Sequence, residues 1–278
     1  QMLGERAGVV ATRSATTPGA VVLSVEAMTL DGPAGPLVDD VSLAFRAGEV
    51  TAIYGLLGAG RTEFLEGVCG ARPATRGRVV LAGEDISRLD IAGRLARRLQ
   101  FLPEDRQRDA VISNFSVGGN LGVGALSAFS RLGAILPERE RGAVTGMMAR
   151  LGVKAAGSDA EIHSLSGGNQ QKVILGRCLM SDPLAVLLDE PSRGVDVGAR
   201  AEMFEAMRAL ADGGLAIVFA TSDLNEAMTT SDRVVVMANG RVTADYGVGE
   251  ATNAKLVEAA GRGRRSASAV PAREEMPA

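Results

Sequence analysis

The feature that most restricts this 278-residue chain is a glycine loop set between an apolar run and a helical one. Residues 50–54 are almost continuously apolar, the pattern of a strand buried on both faces. They run straight into Gly55-Leu56-Leu57-Gly58-Ala59-Gly60-Arg61-Thr62, and over residues 61–68 the apolar spacing turns helical. Strand, glycine loop and helix in that order make a cradle for phosphate. Successive backbone N–H groups point inward, and the helix start adds partial positive charge. Thr62 stands where a hydroxyl would ligate Mg2+. Taken alone, the loop also reads as a plain glycine turn before a helix, because Arg61 occupies the position where a lysine is expected.

Two further motifs follow in order. Leu165-Ser166-Gly167-Gly168-Asn169-Gln170-Gln171-Lys172 opens a helix with a serine and two glycines, donors able to reach a γ-phosphate from outside the loop. Residues 184–188 form a buried-strand pattern that ends in Asp189-Glu190-Pro191. One carboxylate there suits Mg2+ held through water, and the other suits polarising an attacking water. A carboxylate pair at a strand end also serves to cap a helix, but beside the other two motifs the chemical reading governs.

Around these motifs the chain reads as alternating strand and helix. Residues 21–27 and 41–45 alternate like half-exposed strands, and residues 79–81 and 99–102 give further short ones. Between residues 114 and 162 the strand pattern vanishes and residues 138–151 show helical spacing, so a helical insertion is expected. Strand patterns return at 185–188, 216–220 and 233–237, separated by helical patterns at 199–210 and 224–229. That alternation implies an α/β sandwich. Asn239-Gly240 between two apolar runs signals a hairpin, so the sheet should end in an antiparallel pair. Residues 8–19, rich in Thr, Ala, Gly and Ser, read as a linker, and the tail after residue 262 reads as disordered and solvated.

Composition narrows the function. With 33 acidic against 30 basic side chains and no basic stripe, the chain is not expected to bind nucleic acid. Its longest apolar runs fall far short of the roughly 20 residues that span a bilayer, so any membrane link is expected through a partner. The first twenty residues lack a secretory leader, which makes a cytosolic location the expectation. Beginning at Gln1 hints at a piece of a longer chain, with Met2 as a true start the alternative. Cys69 and Cys178 sit in apolar helical stretches without metal-ligand spacing and read as packing residues.

On its three ordered motifs the chain resembles the ATP-binding-cassette (ABC) family over residues 21–261. In that family two cassettes sandwich two ATPs, each held by the phosphate loop of one and the Leu-Ser-Gly-Gly segment of the other. Gly58-Ala59-Gly60-Arg61-Thr62-Glu63, Pro103-Glu104-Asp105-Arg106, residues 165–172 and Arg193-Gly194-Val195-Asp196-Val197-Gly198 look more narrowly like the second cassette of tandem ATPases serving ribose, galactose and xylose importers. Met2-Leu3-Gly4 resembles the segment that closes the first cassette.

The resemblance implies a P-loop NTPase three-layer α/β sandwich with an N-terminal antiparallel β part and a helical subdomain. Residues 1–20 would be a linker from a preceding domain, 21–262 the nucleotide-binding domain with its helical subdomain at about 106–162, and 263–278 the tail. It implies ATP and Mg2+ as cofactors. The implied partners are a second cassette in the same polypeptide, membrane permease subunits and, indirectly, a sugar-binding protein, with the chain peripheral on the cytoplasmic face of the membrane. ATP would be held by Gly55, Gly58, Ala59, Gly60, Arg61, Thr62 and Glu63, and the partner's ATP by Ser166, Gly167, Gly168, Asn169 and Gln170. Mg2+ would fall to Thr62, Asp189 and Glu104, and catalysis to Glu190, Glu104 and Ser222.

Several positions depart from the family pattern. Arg61 replaces a compact ammonium with a longer planar group that will not fit the same point between β- and γ-phosphates. Glu63 stands where a hydroxyl meets the α-phosphate, Glu104 where a glutamine contacts Mg2+ and water, and Ser222 where a histidine holds the γ-phosphate. The only histidine, His163, precedes the signature segment. No aromatic residue occurs in residues 21–44 to stack on adenine. Two unit charges 4 Å apart interact by roughly 4 kcal/mol at an effective dielectric near 20. Glu63 and Glu104 would therefore oppose a polyphosphate unless Arg61, Arg106 or Mg2+ compensates. The expectation is a nucleotide site impaired in hydrolysis that lends its signature segment to a competent partner site. The alternatives are an ABC ATPase without a membrane partner and a regulatory module that binds ATP without turning it over.

Overall fold

Strands apolar on both faces need cover on both faces, and this chain supplies a helical layer on one side and a second sheet on the other. The computed structural model describes residues 18–131, 134–247 and 249–262. The chain opens with the hairpin β1 (Val21–Gly32) and β2 (Gly35–Arg46), then β3 (Val50–Tyr54), α1 (Arg61–Cys69), β4 (Arg76–Leu81), β5 (Glu84–Asp85), α2 (Ile91–Ala96) and β6 (Leu99–Leu102). A mostly helical stretch follows, with α3 (Arg106–Asp109), α4 (Val117–Gly122), α5 (Leu126–Phe129), the two-residue strands β7 (Ser130–Arg131) and β8 (Ala134–Ile135), and α6 (Pro137–Arg150). The remainder alternates as α7 (Gly167–Met180), β9 (Ala185–Asp189), α8 (Val197–Asp212), β10 (Ala216–Thr221), α9 (Leu224–Thr230), β11 (Arg233–Ala238), β12 (Arg241–Tyr246) and α10 (Asn253–Gly261).

The central sheet has the order β12-β11-β3-β10-β9-β6, with every pair parallel except β11 with β12. The second sheet, β2-β1-β4-β5, is antiparallel throughout. A period of two sorts the central strands into two cores. Tyr54, Leu188, Phe219 and Val236 pack on one face with apolar residues of α7 and α8. Ile53, Leu187, Val218 and Val235 pack on the other with α1 and the antiparallel sheet. Each fully buried aliphatic side chain of this kind stabilises the fold by about 1.5–3 kcal/mol.

The expected α/β sandwich with an N-terminal antiparallel part is present. The antiparallel β11–β12 hairpin turns at Asn239 and Gly240, both with positive φ (49° and 74°). Cys69 and Cys178 are buried and unpaired, as packing residues should be. One expectation needs correction: strand pairing does not vanish between residues 114 and 162. β7 and β8 form a small hairpin there, and Ser116 bridges Glu161. Segments of two residues are too short for alternation to register. Helix α10 escaped the sequence for a similar reason, since its buried face is only Leu256, Ala259 and Ala260. Among the described residues no helix is long and apolar enough to cross a membrane. Residues 1–17, which include most of the expected linker and the Met2-Leu3-Gly4 segment, and residues 263–278, the expected tail, lie outside the described residues.

Candidate functional site

In an open parallel sheet, ligands bind beyond the carboxyl ends of the strands. Here four neighbouring strands each end in a segment singled out from sequence. β3 leads into the glycine loop, β10 ends one residue before Ser222, β9 ends at Asp189, and β6 ends two residues before Glu104. The four ends border a cavity of about 610 Å3 lined by Gly58, Ala59, Gly60, Arg61, Thr62 and Glu63, and also by Glu104, Glu190 and Ser222. Gly55 and Asp189 lie behind this lining.

The loop's shape depends on glycine where the chain turns hardest. Gly58 and Gly60 have φ of 78° and 93°, a region that favours glycine. A Cβ on Gly60 would lie 2.6 Å from the Leu37 carbonyl oxygen and 2.9 Å from Gly240 Cα. The hairpin turn at Gly240 braces the loop, its N–H donating to the Ala59 carbonyl (2.9 Å) and its carbonyl accepting from Asp39 N–H (2.8 Å). At Gly55 a Cβ would meet the Met237 carbonyl oxygen at 2.5 Å, so the glycine lets the chain leave the sheet. No side chain caps the start of α1, which leaves its first-turn N–H groups facing the loop for an anion.

The charges are arranged in pairs. Arg61 Nη1 donates to Glu190 Oε1 at 2.7 Å, with side-chain exposures of 7% and 15%. The backbone N–H of Ser222 donates to the same oxygen at 2.9 Å. An ionised carboxylate oxygen offers about two lone-pair sites, so Oε1 is fully engaged. Glu190 itself sits at φ 43°, an unfavourable backbone that aims its carboxylate at the cavity and costs of order 1–3 kcal/mol. Glu104 is ion-paired with Arg193, not with Arg61 or Arg106, the cations that sequence reasoning offered. Arg61 is taken by Glu190, and Arg106 donates to the carbonyls of Arg193 (2.7 Å) and Gly194 (3.1 Å). Glu63 lines the cavity half-buried.

Asp189 is the chemical oddity of the site. It is 1% exposed, and neither carboxylate oxygen makes a hydrogen bond of normal geometry. Burial pushes its pKa up to about 6, and the nearby Thr62 hydroxyl and Arg61 charge only partly offset it. A buried carboxylate with idle oxygens beside a threonine hydroxyl suits a divalent cation. Among the described residues no cluster of three acidic, histidine or cysteine side chains forms a complete cage. The donor set therefore fits Mg2+, which keeps several waters and takes further oxygens from a phosphate, better than a cation needing an all-protein shell.

The signature segment lies apart from the cavity lining. Ser166 is exposed just ahead of α7, and Asn169 Nδ2 donates to its hydroxyl at 3.0 Å. Gln170 is buried, its amide nitrogen donating to the carbonyls of Ile162 (3.3 Å) and Leu165 (3.2 Å). A Cβ on Gly168 would stand 2.3 Å from Ala199 Cβ, and one on Gly167 would stand 2.7 Å from Arg106 Nη2. Both glycines thus permit close packing, which the donor argument from sequence did not reveal. Residues missed from sequence also line the cavity: Arg193, Arg200, Asp223 and Glu226. Arg200 Nη1 lies 3.5 Å from Asp223 and 3.3 Å from Glu226. The run of residues 193–198 signals Arg193, whereas Arg200 and Glu226 lie outside it.

The family model described as ABC transporter matches residues 38–193. The chain is 42% identical over 234 residues to a ribose import ATP-binding protein of Streptomyces avermitilis, covering 84% of this chain and 44% of that relative. It is 40% identical over 232 residues to a xylose import ATP-binding protein of Pseudomonas fluorescens, covering 83% and 45%. The chain spans about half the length of these relatives. A solved ATP-binding cassette of an ABC transporter shares the fold with a TM-score of 0.76 at 24% identity, over 86% of this chain and 98% of that one.

Proposed function

The chain belongs to the ABC transporter family, and from that premise we propose that it is one cassette of a two-cassette ATPase that drives import of a ribose- or xylose-like sugar. The cassette occupies residues 21–262, with its helical subdomain at about 106–162. The sugar follows from what the relatives' names say they import, and a span of about half their length is what one cassette of two would occupy. Permease subunits carry the sugar, a sugar-binding protein delivers it, and the cassette works peripherally on the cytoplasmic face of the membrane.

In this reading the glycine loop and the start of α1 bind the phosphates of ATP, and Thr62, Asp189 and Glu104 would hold Mg2+, which when bound would supply neutralising charge to the phosphates. The pocket is impaired in hydrolysis, and the single observation that carries this is the Arg61–Glu190 pair. Glu190 is the carboxylate we assign to polarising water, yet its Oε1 accepts from both Arg61 and the Ser222 amide. These bonds occupy one of its two oxygens and hold the carboxylate against Arg61, so it takes a proton only through Oε2 or by leaving that pairing. Arg61, in turn, has Nη1 committed to that carboxylate. Ser166 and Asn169, exposed or half-exposed outside this cavity, serve the ATP of the other cassette.

Mg-ATP turnover of the intact two-cassette protein tests the assignment. Ser166→Arg is expected to abolish turnover, whereas Glu190→Gln is expected to leave it within about twofold. Turnover that survives Ser166→Arg and collapses in Glu190→Gln would place hydrolysis in this pocket and overturn the proposal.

A further inference from the structure

Four residues after β6 connect the cavity to the signature helix. Glu104 lines the cavity and pairs with Arg193. Two positions on, the Arg106 guanidinium turns the other way. Nη1 donates to the Arg193 carbonyl at 2.7 Å and lies 3.5 Å from Gln171 Oε1, and Nη2 donates to the Gly194 carbonyl at 3.1 Å. Next to it, the amide of Gln107 donates to Gln170 Oε1. The first turn of α7 thus rests on residues 106 and 107, while residue 104 reaches into the cavity. Arg193 closes the circuit, its side chain on Glu104 and its carbonyl on Arg106.

The packing leaves little slack. Gly167 approaches Arg106 so closely that an added Cβ would lie 2.7 Å from Nη2 and 3.0 Å from the Gly194 carbonyl oxygen. Gly194 adopts φ 67°, which presents its carbonyl to the same guanidinium. A planar fork of donors is suited to holding two carbonyls and a helix end at once, and an ammonium is not. Arg106 Nε is buried and makes no hydrogen bond, which costs free energy that the Nη contacts must offset. The side chain is therefore held for its geometry.

We propose that Arg106 is a positioning residue: by clamping the Arg193 and Gly194 carbonyls against the first turn of α7, it sets Ser166 for the partner cassette's nucleotide and ties that setting to the state of this cassette's own cavity through Arg193 and Glu104. The inference rests on the reading that Ser166 acts on a partner's ATP. A ligand that draws Glu104 from Arg193 frees the side chain of a residue whose carbonyl Arg106 holds. The clamp and the signature helix then respond together.

The test is steady-state Mg-ATP turnover of the intact two-cassette ATPase with its permease, for Arg106→Ala, Arg106→Lys, Ser166→Ala and the Arg106→Ala/Ser166→Ala pair. Arg106→Ala is expected to lower kcat at least about tenfold, the factor that loss of even one of its hydrogen bonds from a charged donor carries. Arg106→Lys should recover only part of it. The double variant should be no worse than Ser166→Ala, because both changes act through one contact. A lowered kcat from Ser166→Ala alongside an unaffected Arg106→Ala, or losses that multiply in the double variant, overturns the role of Arg106 and leaves the shared-site reading standing. Unchanged turnover in Ser166→Ala overturns both. If Arg106→Ala lowers the thermal midpoint, the comparison rests on Arg106→Lys with Ser166→Ala, where multiplication of losses is again the refuting result.

Discussion

Replacing Arg61 with methionine tests whether the Arg61–Glu190 pair organises the site. The change removes the guanidinium and leaves Glu190 at 15% exposure with one donor, the Ser222 amide. A contact of 2.7 Å puts the charge centres about 4 Å apart, worth roughly 4 kcal/mol at an effective dielectric near 20. Removing one partner of a buried pair costs about 3–5 kcal/mol, and the surviving Ser222 hydrogen bond puts the expected loss near the lower end, about 3 kcal/mol. For a domain of this size that lowers Tm by roughly 6–12 °C. Glu190→Gln keeps an acceptor for Arg61 and should cost less. The double variant leaves no buried unpaired charge and should lose only about 1 kcal/mol, giving a coupling energy of about 2 kcal/mol plus whatever Glu190→Gln costs alone. Urea unfolding followed by far-UV circular dichroism suits a chain without tryptophan. Losses that add within about 0.5 kcal/mol would refute the pairing as an energetic unit, and with it the argument that Arg61 restrains Glu190.

Three further outcomes are expected. Because Asp189 has a folded pKa raised to about 6, the folded state binds the extra proton and stability falls as pH rises from about 4 through 6. Asp189→Asn should flatten that slope, stabilise the protein at pH 7.5 by about 1–3 kcal/mol and remove any rise in Tm caused by Mg2+, all read from thermal melts. Gly168→Ala forces a Cβ to within 2.3 Å of Ala199 Cβ and should destabilise by about 1–3 kcal/mol in urea titrations, while Gly142→Ala, with open space around it, should not. Burial raises the thiols of Cys69 and Cys178 to about 11, so neither should react with a thiol reagent at pH 8 until the protein unfolds, as a time course with and without urea would show.

Local period and local chemistry are legible along the chain without the fold. Continuous apolar runs at residues 50–54 and 216–220 announced buried parallel strands, because both faces of such strands meet a core. The glycine loop, the carboxylate pair and the signature serine were legible because each needs particular residue types at adjacent positions. The ranges of β3 and β6 were read from sequence to the residue.

The pairing of charges, by contrast, comes from the fold. Arg61 and Glu190 are 129 positions apart, and Arg193 and Glu104 are 89 apart, so no local pattern could have matched them. The strand order β3-β10-β9-β6, which brings four chain segments to one rim, is likewise a property of crossover connections and not of any segment. Spacing alone made Arg61 look like an ill-fitting phosphate ligand. In the fold it is also the cation bonded to Glu190, and the pairing offsets the cost of burying both charges.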